Sequence, residues 1–219
     1  MSKLLIETQY FPCIEFFIQA LQHESIVLEA HENFQKQTYR NRCTFPGPNK
    51  LETLVVPVKH TSRHIPIKDA EVDYSSAWNK QQWRAIQTSY GKSPFYEYYA
   101  DELEAIFMQK RRFLWDINEE AMTICLKLLK IKKDITYSVE YLRVNEISSE
   151  VFSDQRGSIK SDLRSEMFQP ASGYRYTQVF GVDFVPNCSV LDILFCEGPN
   201  APAIFLDEIK RRKSLDGTQ

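Results

Sequence analysis

The sequence predicts an α/β fold: a mixed, mainly parallel sheet with an N-terminal β-loop-α-β unit and a helical block. Three observations point there. "KLLIET" (3–8) and "SIVLEA" (25–30) are short, near-continuous apolar runs, the pattern of strands covered on both faces. Between them Ile14, Phe17, Ile18 and Leu21 recur at helical spacing. Residues 76–131 then carry three more stretches of helical period.

Each element has its own signal. Residues 3–8 read as a buried strand, and Pro12 suits the first helical turn, where its missing N–H leaves nothing unpaired. Residues 25–30 give the second strand, and such a crossover is usually right-handed and parallel. "QKQTYRNR" (35–42) is polar and cationic and reads as a loop. "ETLVVPVKH" (52–60) reads as a strand whose Pro57 marks an edge or an end. "IPIKDAEVDY" (65–74) is a weaker strand. Trp78, Gln82, Ala85 and Ile86 share one helical face. "SPF" (93–95) breaks that helix. Tyr99, Leu103, Ile106 and Phe107 mark the next helix, and Leu114 to Leu128 the third. "ITYSVEYL" (135–142) returns to strand alternation. Residues 145–173, rich in Ser, Asp and Arg, read as a long loop and a candidate lid. Residues 174–184 read as extended. "SVLDILF" (189–195) reads as a helix capped by Ser189, "CEGPN" as a turn, and 202–212 as a terminal helix with late cations. A single domain over 1–213 follows, with a helical insertion at about 76–131 and a flexible tail over 214–219.

The totals fit a globular chain. Of 219 residues, 43% are hydrophobic and 26% charged. The formal charge of −2 gives no global pull toward nucleic acid. No apolar run is long enough to span a membrane. The N-terminus lacks the basic and apolar regions of a secretory leader. Five scattered cysteines without a CxxC pair argue against a disulfide framework or a zinc site and for a reducing cytoplasm. No metal or cofactor is expected.

Two constellations carry chemistry. Thr8, Gln9 and Tyr10 sit at the exit of the first strand, where open α/β sheets gather ligands. A helix N-terminus beyond them offers N–H groups and partial positive charge. The competing reading is that Tyr10 and Phe11 close the core. Lys36, Tyr39, Arg40 and Arg42 form the second constellation, suited to phosphate or carboxylate; the competing reading is a solvated face. Glu29, closing the second strand, is the candidate base. His60 and His64 lack a carboxylate partner for zinc, and Cys196 lacks a nearby histidine, so a buried thiol is the simpler reading. The aromatic run "PFYEYY" (94–99) stacks a sugar or base, or packs the core.

Taken in order, "TQYFP" with "IEFF", the acid after "SIVLEA", "QKQTYRNR", "LVVPVK", "WNKQQWRAIQTSYGKSPFYEYY" and "YTQVF" through "NCSVLDILFCEGPNA" resemble the WbqC-like family. The family's N-terminal motif is HQPxYxP-like. Here Thr8 stands where many members carry His, and the proline after Gln is absent. Arg156 and Lys160 stand as counterparts of basic residues in the family. The resemblance implies a bacterial cytoplasmic protein of O-antigen or other surface-polysaccharide biosynthesis. The activity it implies is transfer of an amino-acid or acyl group to a nucleotide-activated amino sugar. In that reading Gln9 and Tyr10 orient the acceptor, Lys36, Arg40 and Arg42 neutralise phosphates, and Tyr174 and Gln178 approach from the C-terminal segment. The expected partner is a small-molecule substrate of the nucleotide-sugar type, with a homodimer allowed. The rival from another class is a non-catalytic binding or assembly protein of the same pathway, with "PFYEYY" and the basic "KRR" (110–112) as contact surfaces. An enzyme needs segments 8–12 and 36–42 to meet at one site; an assembly factor needs an exposed apolar patch.

Overall fold

Strand β1 (Lys3–Ile6) opens the computed structural model and is buried from Leu4 onward. The structure describes residues 2–59, 64–144, 147–160, 173–180 and 183–216. His60, part of the expected lid (145–146 and 161–172) and the last three residues lie outside that set.

Helix α1 (Ile14–Gln22) follows, burying Ile14, Phe16, Phe17, Ile18 and Ala20. Strand β2 (Ile26–Leu28) then pairs with β1 in parallel, Leu4 opposite Ile26 and Ile6 opposite Leu28. The β-loop-α-β unit is therefore present. Pro12 is not in the first helical turn; the helix starts two residues later. The turn before it is made by Phe11 at φ 43°, and the Pro12 carbonyl accepts the N–H of Val190.

Arg42, expected to end the 35–42 loop, instead opens strand β3 (Arg42–Pro46). It pairs antiparallel with β4 (Leu51–Val55) in a separate two-stranded sheet. Residues 65–74 make only a 3-10 turn at Ile67–Asp69 and isolated bridges, not a strand. The helical block is α2 (Trp78–Tyr90), α3 (Tyr96–Met108) and α4 (Leu114–Leu128), packed in succession. "KRR" falls between α3 and α4 rather than in a helix.

Strand β5 (Ile135–Tyr137) joins the outer edge of β2. Strand β6 (Phe152–Asp154) lies inside the segment expected to be a loop, and it pairs with the other edge of β1. The order β5-β2-β1-β6 is parallel throughout. The chain thus steps outward from β1 through β2 to β5, then returns to the opposite flank of β1. The described part of 174–184 makes no strand. Helix α5 (Val190–Glu197) is capped by Ser189, which accepts the N–H of Leu191. Helix α6 (Ala201–Asp216) runs three residues into the predicted tail. It packs on α1, with the Phe17 and Phe205 rings 6.2 Å apart, and Arg212 clamps Glu15 with two 2.8 Å hydrogen bonds. No helix among the described residues is long and apolar enough to cross a membrane.

Candidate functional site

The carboxyl edge of the parallel sheet carries one row of polar side chains. Ile6 pairs with Leu28, Leu28 with Tyr137 and Leu5 with Asp154. Extending each pairing toward the strand ends aligns Ser138, Glu29, Glu7 and Arg156 across β5, β2, β1 and β6. Residues in register on neighbouring parallel strands project to the same side, so the row converges by construction. The hydrogen bonds agree. Glu29 accepts from the Ser138 hydroxyl at 2.6 Å, from Arg156 Nη1 at 2.9 Å, and from the N–H groups of His31 and Leu142 at 3.0 and 3.3 Å. Glu7 Oε2 accepts the N–H of Gly157 at 2.8 Å. Gly157 holds φ 65°, and a side chain there would meet the left-handed penalty. Strand order reverses at β1 and β6, and the crevice outside such strand ends is where open α/β sheets bind ligands.

The segment after β2 brings a second layer. Arg40 is 3% exposed and grips Glu32 in a fork, with Nε and Nη2 each 2.6 Å from a carboxylate oxygen; Nη2 lies 3.9 Å from Glu7. Burial raises the Glu32 carboxyl above its ordinary value. Arg40 draws it back, and Glu7 and Glu29 push it up again. On the other flank Arg156 forks onto Asp154 at 2.8 and 2.9 Å and lies under the Tyr141 ring, 5.2 Å from its centroid.

Several predicted residues stand elsewhere. Tyr10 is 1% exposed, and its hydroxyl donates to Gln82 Oε1 at 2.8 Å. Its ring meets Phe11 edge-on at 4.9 Å, and Phe11 stacks on Phe107 of α3 at 5.3 Å. These two aromatics close the core and dock the helical block. The N-terminus of α1 offers no free N–H either. The N–H groups of Cys13, Ile14, Glu15 and Phe16 go to Gln9 Oε1, the Cys188 carbonyl, Asn187 Oδ1 and the Cys13 carbonyl. Thr8 and Gln9 are each 1% exposed, and Gln9 Nε2 is buried without a partner. Segments 8–12 and 36–42 do adjoin, since the Tyr10 N–H donates to the Tyr39 carbonyl at 2.8 Å. Within the second segment Tyr39 is buried, Lys36 is exposed, and Arg42 is half-buried with Nε unpartnered.

Tyr174 and Gln178 belong to a different cluster. Tyr174 is buried and its hydroxyl accepts the N–H of Asn187. Gln178 Nε2 donates to Asp192 Oδ2 at 2.8 Å, beside the hydroxyls of Tyr176 at 2.5 Å and, on Oδ1, Tyr90 at 2.7 Å. Burial raises the Asp192 carboxyl, and those donors oppose it. The Cys196 thiol, pushed up by burial and by Asp192, lies at 3.9 Å from that carboxylate. All five cysteines are free and buried.

Sequence reasoning passed over Glu7, Glu32, Asp154 and Ser138. A signal for Glu7 was present: "LLIE" and "IVLE" are parallel neighbours that both end in glutamate.

The comparisons follow this geometry. The model of the WbqC-like protein family matches residues 8–163. The chain is also similar to the uncharacterized protein Rv1507c of Mycobacterium tuberculosis, 24% identical over 226 residues that cover 92% of this chain and 96% of that protein. No solved structure matches. The matched span holds the strand exit at Thr8, the Glu29–Arg40 stretch, the helical block and Arg156, so the chain belongs to the WbqC-like protein family.

Proposed function

We propose that this protein is a small-molecule transferase of bacterial surface-polysaccharide biosynthesis, attaching an amino-acid or acyl group to a nucleotide-activated amino sugar. One observation carries the reading: Ser138, Glu29, Glu7 and Arg156 line up at the carboxyl edge of the sheet, beside the strand reversal. What the family resemblance implies supports the pathway. Glu29 is saturated by four hydrogen bonds, so it acts by holding Arg156 and the 138–142 segment rather than by taking a proton. Lys36 and Arg42 are the cations of their segment suited to a diphosphate, because Arg40 is committed to Glu32. Gln9, with its unpartnered nitrogen, orients the acceptor.

The test is a thermal-shift screen with uridine and thymidine diphosphate sugars. A ligand present at about 100 times its dissociation constant stabilises the native state by about 2.7 kcal/mol. The Arg156→Ala variant is expected to lose that shift. Silence with every nucleotide sugar would favour the assembly reading. That second reading has its own observation, an open groove of about 380 Å³ lined by Phe95, Tyr98, Tyr99, Leu128 and Pro199, with Tyr98 76% exposed.

A further inference from the structure

The groove between α3 and the end of α4 has a fixed aromatic lining. Phe95, the residue before α3, lines it with Tyr98 and Tyr99 of the first helical turn, Leu128 and Pro199. The Phe95 ring lies near-parallel to Tyr99 at 6.5 Å and tilted to Tyr98 at 6.2 Å. It rests on the backbone of Gly198, just past α5. Gly198 holds φ 52°, and a Cβ there would come within 2.4 Å of the ring, so only glycine fits. The Phe95 N–H also donates to the Phe195 carbonyl of α5 at 3.2 Å. The lining is thus tied to α5, yet Tyr98 is 76% exposed. A ring so held and so open is a stacking surface.

The charged groups of the lining are Lys127 and Lys130, with no carboxylate among them. Lys127, in the last turn of α4, pairs with Glu102 of α3 at 2.6 Å and keeps two N–H groups for other partners. Lys130 is exposed, and its ammonium has no partner among the described residues. Its backbone carries an independent sign. Helix α4 ends in a Schellman motif: the Ile131 N–H donates to the Leu126 carbonyl at 2.9 Å and the Lys130 N–H to the Lys127 carbonyl at 3.0 Å. Lys130 takes the left-handed position of that motif, at φ 55°, where glycine is the least strained residue. The helix dipole does not call for it, because Lys127 already places a cation in the last turn. Lys127 also lines a second hollow of about 520 Å³ with Lys132 and Lys133, against Glu24 and Asp134.

We infer that this groove binds a ring-bearing phosphate, its ring stacked on Tyr98 and Tyr99 and its phosphate held by Lys130 and Lys127. The flat face of a ring suits the aromatic lining, and an anion suits cations that no carboxylate of the lining offsets. A nucleotide and a sugar phosphate share this chemistry, the ring being a base in one and a pyranose in the other. The groove has no lining residue in common with the row of Ser138, Glu29, Glu7 and Arg156. It is therefore a second site, and it stands whether or not the sheet edge performs a transfer.

Isothermal titration calorimetry on the full chain at neutral pH and low salt tests it. The probes are uridine diphosphate with uridine, glucose 1-phosphate with glucose, and inorganic phosphate. At least one ring phosphate is expected to bind about tenfold tighter than its unphosphorylated ring and than inorganic phosphate, the worth of one charge-assisted hydrogen bond or one stacked ring. Whichever ring phosphate binds names the source, nucleotide or sugar phosphate. Tyr98→Ala is expected to weaken that binding about tenfold. Lys130→Gly is expected to weaken it about tenfold as well, while raising the melting midpoint by about 2 °C as the left-handed backbone is relieved. Binding unchanged in both variants overturns the inference, and its loss in Arg156→Ala would then place the ligand at the sheet edge. Silence from every probe also overturns it and leaves the groove to the assembly reading.

Discussion

Two regions of this molecule bury carboxylates, and they do so by opposite means. Around Asp192 the donors are uncharged: two tyrosine hydroxyls and the Gln178 amide converge on one acid. That cluster is complete. Every donor has its acceptor, and nothing further is needed. Around Glu7 and Glu29 the donors include charged groups: the guanidiniums of Arg40 and Arg156 are shared among Glu7, Glu29, Glu32 and Asp154. The first arrangement ties α2, the 173–180 segment and α5 into one body. The second ties the ends of β1 and β2 to the segments that follow β2 and β6. Buried acids in this fold are thus held either by neutral donors or by shared charge, and the two kinds respond differently when a partner is removed.

The largest effect should come from breaking the fork in the charged cluster. Arg40→Ala strands Glu32 and removes the nearest cation from Glu7, and a loss of about 3–5 kcal/mol in denaturant-derived stability is expected. Replacing the pair together, Arg40→Met with Glu32→Leu, should cost far less. If the pair is as damaging as the single change, packing rather than charge holds this region.

Asp192→Ala comes next, since it takes the acceptor from the buried Tyr90 hydroxyl and the half-buried Tyr176 hydroxyl and one of two from the Gln178 amide; about 3 kcal/mol is expected. Its pH behaviour sharpens the contrast. Burial raises the Asp192 carboxyl above its ordinary 3.8, so the folded state keeps that proton longer than the unfolded chain. The stability so gained is full below that ordinary value and lost as pH rises through the folded one. Asp192→Asn should remove this slope from the stability–pH curve.

Tyr10→Phe should cost about 1 kcal/mol through the lost hydrogen bond to Gln82, with little effect on nucleotide-sugar binding. A larger effect on binding than on stability would return Tyr10 to the site. The smallest effect belongs to the surface. Lys59 and then Arg112 hold Glu71 down at about 2. Its contribution is present above the ordinary 4.5 and disappears as pH falls through about 2. A carboxyl titration by NMR should find that value move upward in high salt, as exposed pairs do.

The elements that were legible are those whose burial is written locally. "KLLI" and "IVL" are apolar on both faces, and α4 repeats its apolar residues every turn. Strand β6 is three residues of Phe, Ser and Asp; only the free edge of β1 makes it a strand. Strand β3 begins at Arg42 inside a cationic run, and its partner is fixed by the hairpin at Gly47. The same holds for the site. Thr8, Gln9, Glu29 and Arg40 were visible as polar residues flanking strands, but the partners of Glu29, Ser138 and Arg156, lie 100 or more residues away. Tyr10 and Phe11 were read toward the ligand because strand exits favour ligands. Instead Phe11 stacks on Phe107 of α3, while Tyr10 packs on Phe11 and donates to Gln82 of α2.

The left-handed backbone at Phe11 has one more implication. Phe11 stacks on Phe107 in the last turn of α3, so the chain two residues beyond Gln9 is anchored on the helical block. The helical insertion is therefore no removable ornament. Excising it would unfasten the loop between β1 and α1, and any tilt of α3 would be transmitted along two residues of chain to the Gln9 amide.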